Sequence, residues 1–370
     1  MAAPDTLRLK LSRLFAVFSS SKEGAFIGDD QLQQATIDTL DNVVAPPACG
    51  PVIGELEADL ERWLANPDAP HIRVVVVPPC EQNGIVDIWS QGHDCEILTP
   101  PPSSVLLSEV ETPLPSLEGD TLLVIPRLEH WFLRNRTGLV LLRRLLAALH
   151  LSDRRCLISC NSWAWSFLCK AAEIDMILPE PVTFAPFDAA RLKDWFGDLA
   201  IADGTSAIQF KYSQTGEDVF AAETPEGDGD SDDYFRRLAA HSLGIPWIAW
   251  HMWRRSLWSE RDVMAGETPG KDVDRPSMET LWVGALDELI LPGKHPQTAL
   301  MILHSLLIHG GMTVDDIRHT VPIVGESNLV PSLLKSGFLE RRGDTLRCRA
   351  AAYPAIRLSL ADAGFPMDQL

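Results

Sequence analysis

The sequence predicts an α/β protein in which a parallel sheet is wrapped by helices, followed by a helical lid and a small C-terminal domain. Three observations predict it. The runs IRVVVV (72–77), TLLVI (121–125) and RCLISC (155–160) are short and continuously apolar, as strands covered on both faces are. Between them lie segments with apolar residues at helical spacing, GELEADLERWLA (54–65) and GLVLLRRLLAALHL (138–151). Strand and helix alternate along the chain, which is the pattern of parallel strands joined by crossover helices.

Taken in order, residues 1–50 form a mixed segment ending in the Pro/Gly-marked APPACGPVIG, expected to contribute a helix or two packed on the main domain. The α/β core is expected over 51–200. Its first helix carries Leu56, Leu60, Trp63 and Leu64 on one side, and PVTFAPF (181–187) adds a fourth strand. Asp188 is a natural N-cap for the helix that begins DAARLKDWF. Residues 201–233, with ETPEGDGDSDD at their centre, read as an acidic solvated loop; a calcium site requires tighter ligand spacing. YFRRLAAHSLGIPWIAWHMWRRSLW (234–258) is helical with a Gly-x-Pro break and opens a helical lid over 234–290. Trp247, Trp250 and Trp258 are expected on one side of its helix, as lid core rather than a ligand box or membrane anchor, with Arg254 and Arg255 toward solvent. A polar linker is expected over 259–277.

The last segment, 296–370, changes character. QTALMILHSLLIHGGM is a helix stopping at Gly310 and Gly311. Thr313 caps the next helix, with Asp315 and Asp316 in its first turn. A third helix, a hairpin turning at Gly343 and Asp344, and a final helix follow. Helix–helix–helix–hairpin–helix is the plan of a winged helix.

Totals narrow the function classes. A chain of 370 residues holds two or three domains at roughly 150 residues each. With 46% hydrophobic residues and eleven tryptophans it can fill packed cores. No run approaches the ~20 apolar residues of a membrane span. The opening MAAPDTLRLKLSRLFAVF is interrupted by Arg13 and carries no small-residue cleavage site, so a cytoplasmic protein is expected. The net charge of −19 repels phosphate backbones unless a local basic patch overrides it. Seven scattered cysteines form no framework, and Cys156 and Cys160 bracket an apolar strand as small buried hydrophobes would. Ten dispersed histidines show no metal-ligand spacing, so no metal is expected. No Ser-His-Asp order with an elbow motif and no paired carboxylates stand out.

The turn after the valine run raises the central question. VVVVPPCEQNGIVDI (74–88) places P-C-E-Q-N-G-I-V where a nucleotide-binding chain carries G-x-x-x-x-G-K-[ST]. VIGELEADLERWL is similar to an opening motif of apolar pair, Gly and Glu, met here by Gly54 and Glu55 without the motif's arginine. TLLVIPRLEHWFL looks like a Walker B strand. Asn161 in LISCNSWAW matches a polar sensor, and it equally suits the cap of the following helix. Gly244 to Pro246, GIP, matches a Gly-x-Pro turn that touches adenine. In this order the pieces resemble the P-loop ATPases of the STAND class, within the AAA+-like group, over roughly 51–370. The resemblance implies a P-loop NTPase-like sheet, a helical lid and a winged helix that packs on the nucleotide domain.

It also implies a nucleotide pocket at Pro79, Gly84, Ile85, Val86, Asn161, Gly244 and Pro246, and that pocket is degenerate. Pro79 replaces the first glycine and offers no N–H. Ile85 stands for the lysine and Val86 for the hydroxyl that binds Mg²⁺. Glu81 would point a carboxylate into the phosphate cradle. Pro126 and Arg127 stand where acidic residues hold the metal, and Glu129 lies two positions too far on. A hydrogen bond to a charged group contributes ~1.5–3 kcal/mol, so losing the lysine and the metal shell costs at least ~3–6 kcal/mol. That weakens binding by a factor on the order of 10²–10⁴. The expectation is a protein without cofactor and without turnover, an ATPase-fold scaffold or regulatory subunit. It would meet a protein partner or itself through the core–lid face. Two alternatives stay open: a switch that binds ATP in an altered pocket, and a winged-helix DNA-binding regulator. For the second, residues 297–370 carry seven basic and seven acidic residues and give no net positive footprint. Only the hairpin, with Arg341, Arg342, Arg347 and Arg349, could contact nucleic acid.

Overall fold

The computed structural model describes residues 32–34, 50–108, 112–202, 208–221, 230–260, 279–286, 289–291, 296–322 and 328–369. The chain divides into two compact units. One comprises Ala48–Ala185 and Leu289–Leu370, the other Met1–Pro47 and Pro186–Glu288. Most of the expected core and the C-terminal domain therefore share one unit, and the lid segment belongs to the other.

A short strand, β1 (Leu32–Gln34), belongs to the second unit. The first unit opens with α1 (Gly50–Ala65), β2 (Ile72–Val77), α2 (Ile85–Gln91), β3 (Cys95–Ile97) and α3 (Ser103–Leu106). It continues with β4 (Leu122–Ile125), α4 (Val140–His150), β5 (Cys156–Asn161), α5 (Ser162–Ala172) and β6 (Val182–Thr183). These strands form a five-stranded sheet, all pairs parallel, in the order β3-β4-β5-β2-β6. Val74, Val75 and Val76 are at most 2% exposed, because both faces of β2 are covered, which is what an unbroken valine run encodes. Arg73 breaks the run, and its guanidinium grips Asp59 of α1 at 2.6 and 3.1 Å. Cys156 and Cys160 are buried in β5. The first strand of this sheet stands between its fourth and fifth, and a loop and helix leave its carboxyl end. That is a P-loop NTPase-like arrangement. The segments after β2, β4 and β5 converge on the sheet's carboxyl edge, where open α/β sheets place their sites.

The second unit continues with α6 (Ala189–Ala202), β7 (Ile208–Tyr212), α7 (Asp230–Ser242), α8 (Pro246–Arg255), β8 (Leu257–Glu260) and β9 (Glu279–Val283). Its sheet runs β1-β8-β9-β7, with β7 parallel to β9 and the other pairs antiparallel. Rings fill its core: Trp250 and Trp253 lie 5.3 and 5.1 Å from Phe196, and Trp253 5.2 Å from Phe210. Four expectations need correction here. The acidic loop over 201–233 contains β7, and α7 starts at Asp230, inside it. The lid is half sheet, not wholly helical. Trp258 sits in β8 rather than on a helix. Arg254 is buried at 5% exposure instead of facing solvent. Phe210 and Tyr212 alternate with Gln209 and Lys211, a strand period hidden by polar flanks. The helices expected within 1–50 and most of the linker at 259–277 lie outside the described residues.

The chain returns to the first unit with α9 (Pro296–His309), β10 (Met312–Thr313), α10 (Val314–Thr320) and α11 (Leu329–Lys335). Strands β11 (Leu339–Arg342) and β12 (Thr345–Cys348) and helix α12 (Tyr353–Asp362) complete it. The sheet order β10-β12-β11 makes a winged helix. Thr313 closes a capping box with Asp316, as its sequence promises. A buried polar joint fastens this domain to α5. Ser162 Oγ donates to Asp368 at 2.6 Å, Trp163 Nε1 to Tyr353 Oη at 3.2 Å, and Ser166 Oγ to the Met367 carbonyl at 3.1 Å.

Candidate functional site

The loop between β2 and α2 has the frame of a phosphate cradle. Cys80 (φ 61°) and Gly84 (φ 68°) are both left-handed, and Gly84 caps α2 without a side chain. A Cβ on Gly84 would lie 2.5 Å from Asp87 Oδ2 and 3.1 Å from an Arg127 nitrogen, so a side chain there would push both aside and strain the left-handed backbone that glycine adopts freely. Within this loop the backbone N–H of Asn83 donates to Glu81 Oε1 at 2.5 Å, and that of Gly84 to both Glu81 oxygens at 2.9 Å. A carboxylate of the loop itself stands on amides that would face a phosphate.

Arg127, at the end of β4, lies across the mouth of the loop. Its Nε donates to Asp87 at 3.2 Å, and its guanidinium is 3.9 Å from Glu81. Burial opposes the Arg127 charge, but Glu129, Glu81 and Asp87 outweigh it and hold its pKa above the ordinary arginine value. Behind it Glu129 is buried and accepts the Asn161 N–H at 3.2 Å. Burial pushes the Glu129 carboxyl up to about 7, against the opposing pull of its hydrogen bonds and Arg127.

Asn161 caps α5: its Oδ1 accepts from Ala164 N at 2.8 Å, while its Nδ2 donates to the Ile308 carbonyl in α9 at 3.0 Å. The amide thus serves a helix start and the winged helix together. Asn161→Ala removes a cap and orphans a buried carbonyl, so stability falls by about 2–3 kcal/mol in urea denaturation. Next to it His309 donates from Nδ1 to the Glu129 carbonyl and accepts Arg134 N–H at Nε2. Arg134 also donates to His304 Nδ1 at 2.9 Å.

The wing closes the far side. Gln82 donates to Glu340 Oε1 at 2.9 Å and accepts from Arg342. Arg347 and Cys348 line the same cavity as Glu81, Gly84, Arg127 and Asn161. The hairpin arginines weighed for nucleic acid therefore divide: Arg342 bonds the loop and Arg347 lines its cavity. The space reachable by the centre of a water molecule is about 40 Å³. That holds on the order of three waters.

Of the expected pocket residues, Gly84, Ile85, Val86 and Asn161 line this cavity, and Pro79 is buried without lining it. Ile85 and Val86 are 2% and 3% exposed and turn apolar surface to the site. Gly244 and Pro246 belong to the second unit. There Gly244 (φ 68°) ends α7, its carbonyl accepts from Phe187 N at 2.8 Å, and Pro246 begins α8. Magnesium triphosphate does not fit the residues present. The amides hold Glu81, Arg127 reaches Asp87 and Glu81 from the end of the strand where an acidic metal ligand is expected, and apolar groups replace lysine and hydroxyl. The clamp of Gln82 by Glu340 and Arg342 gives no local sequence signal, because 258 residues separate Gln82 from Glu340.

No protein-family model matches the chain, and no curated protein matches it. Among solved structures, the crystal structure of Cdc6p from Pyrobaculum aerophilum is similar over 92% of this chain and 99% of that one, at 13% identity and a TM-score of 0.29. A TM-score that low leaves the fold to be read from the sheet order itself. No helix among the described residues is long and apolar enough to cross a membrane.

Proposed function

We propose that this chain is an ATPase-fold protein whose nucleotide site is filled from within, and that it works as a scaffold or regulatory subunit through protein contacts. One observation carries the reading: the Glu81 carboxylate accepts the Asn83 and Gly84 N–H groups, with Arg127 paired to Asp87 beside it. A triphosphate entering the loop must displace that carboxylate and meets its negative charge. The apolar pair Ile85 and Val86 returns no charged hydrogen bond in exchange. What remains is a stable body able to hold a subunit position, with self-assembly or an unidentified protein as partner. The degenerate STAND-like loop supports this reading. So does a winged helix whose Arg342 bonds Gln82 of that loop and whose Arg347 lines its cavity. Calorimetric titration of the full chain with Mg-ATP tests it. No binding is expected at micromolar concentrations; a dissociation constant in the low micromolar range would refute it and favour a nucleotide switch.

A further inference from the structure

We propose that Glu81 is a built-in anion that positions Gln82 for the wing, so that the winged helix is held on the loop without any nucleotide. The inference rests on the preceding reading of the loop and adds a consequence for the wing. Residues Cys80 and Gly84, both left-handed, bracket Glu81, Gln82 and Asn83. The Glu81 carboxylate, through the Asn83 and Gly84 amides, is what closes this three-residue arch. Gln82 stands at its crown with both ends of its amide engaged by β11, donating to Glu340 and accepting from Arg342. An arch that relaxes carries Gln82 away from two partners at once.

Charge acts in the same direction. Arg347 lies near two other guanidinium groups, those of Arg127 and Arg342, with Glu340 and Glu81 as its counter-charges. Removing the Glu81 charge leaves Arg127 and Arg347 at the cavity, and Arg342 near Arg347, with less to offset them, and the wing carries two of the three. Glu81 thus holds the wing by shape, through Gln82, and by charge, through Arg347. It is a positioning residue.

Hydrogen exchange of the full chain, read by mass spectrometry over residues 339–348, tests this. Glu81→Asp keeps a carboxylate able to reach amides two and three residues on, and is expected to stay within about twofold of wild type. Glu81→Ala loses acceptor and charge, and wing exchange is expected to rise about tenfold or more. Glu81→Gln keeps an acceptor without charge and falls between. Gln82→Ala reproduces the loosening. Amides of β5 and of the second unit stay at wild-type rates. Should Glu81→Ala not fold, Glu81→Gln carries the test alone. Unchanged wing exchange in these variants, or an equal rise across the whole chain, overturns the inference. Binding of Mg-ATP by the wild type overturns the reading of the site instead, so the two failures are distinguishable.

Discussion

Replacing Asp368 with alanine is expected to destabilise the first unit by about 3 kcal/mol, the largest single-residue effect outside the apolar core. The Asp368 side chain is fully buried and sits between Ser162 of α5 and Arg357 of α12. Arg357 also donates to Tyr353 Oη at 3.1 Å, which receives Trp163 Nε1. Removing the acid leaves a half-buried guanidinium with only the tyrosine hydroxyl and the Trp163 ring, and a buried serine hydroxyl without its acceptor. The side chain of Arg357 keeps 23% exposure, so water recovers part of the loss, which sets the effect at the low end for a broken buried pair. Asp368→Asn keeps an acceptor for Ser162 and is expected to lose about half as much. Asp362→Ala, at the exposed end of α12, should stay within about 0.5 kcal/mol of wild type. Urea unfolding of the three variants measures this. Equal midpoints for Asp368→Ala and Asp362→Ala would show that the joint does not fasten the winged helix.

The second large effect is acid lability. His304 and His309 in α9 and His130 beside Glu129 are all buried or nearly so, and burial lowers each to about 4 from an ordinary 6.5. The geometry agrees for two of them, since His309 Nε2 and His304 Nδ1 accept hydrogen bonds from Arg134 and cannot do so when protonated. Arg127, Arg347, Arg134 and Lys170 add positive charge around the three rings, and Asp316 offsets it near His309. The folded state therefore binds fewer protons than the unfolded one. The stability these rings contribute is complete above about pH 6.5 and is lost as pH falls through about 4. The full fall from 6.5 to about 4 corresponds to ~3.4 kcal/mol at most per ring, and the two that share Arg134 are not additive.

Glu129 works the other way. Its carboxyl is raised to about 7, so its contribution is complete at low pH and is lost as pH rises through 7. Three rings outnumber one carboxyl, and thermal midpoints are expected to fall from about pH 6.5 to pH 4.5. In His309→Gln that fall is expected to be shallower. Midpoints that rise on acidification would mean that Glu129 dominates and the histidines are not held neutral.

Much of the first unit is legible in its residues. The strands at 72–77, 122–125 and 156–161 announce themselves because a strand covered on both faces needs no polar alternation. Caps are legible too: Asn161, Asp188 and Thr313 each accept the N–H three residues on, a contact contained in one short stretch. The proposal of a lost phosphate site starts from residues readable in one stretch each, Ile85, Val86 and Arg127, and from the place of Glu81 in the cradle. The second unit was less legible. Strand β7 lies between polar stretches, and β8 follows α8 with only Ser256 between, so Trp258 extends a helical pattern that the chain does not follow. Burial of Arg254 depends on surroundings that no window of sequence contains. The wing's hold on the loop was hidden for the same reason: Gln82, Glu340 and Arg342 acquire meaning only when distant segments meet.

A crystal structure of the wild-type chain grown with millimolar Mg-ATP is the most direct measurement of what fills the loop. The expected density shows the Glu81 carboxylate on the amides of Asn83 and Gly84 and Arg127 on Asp87, with no triphosphate between β2 and α2. Phosphate density on those amides, with magnesium beside it and Glu81 swung out, would contradict it.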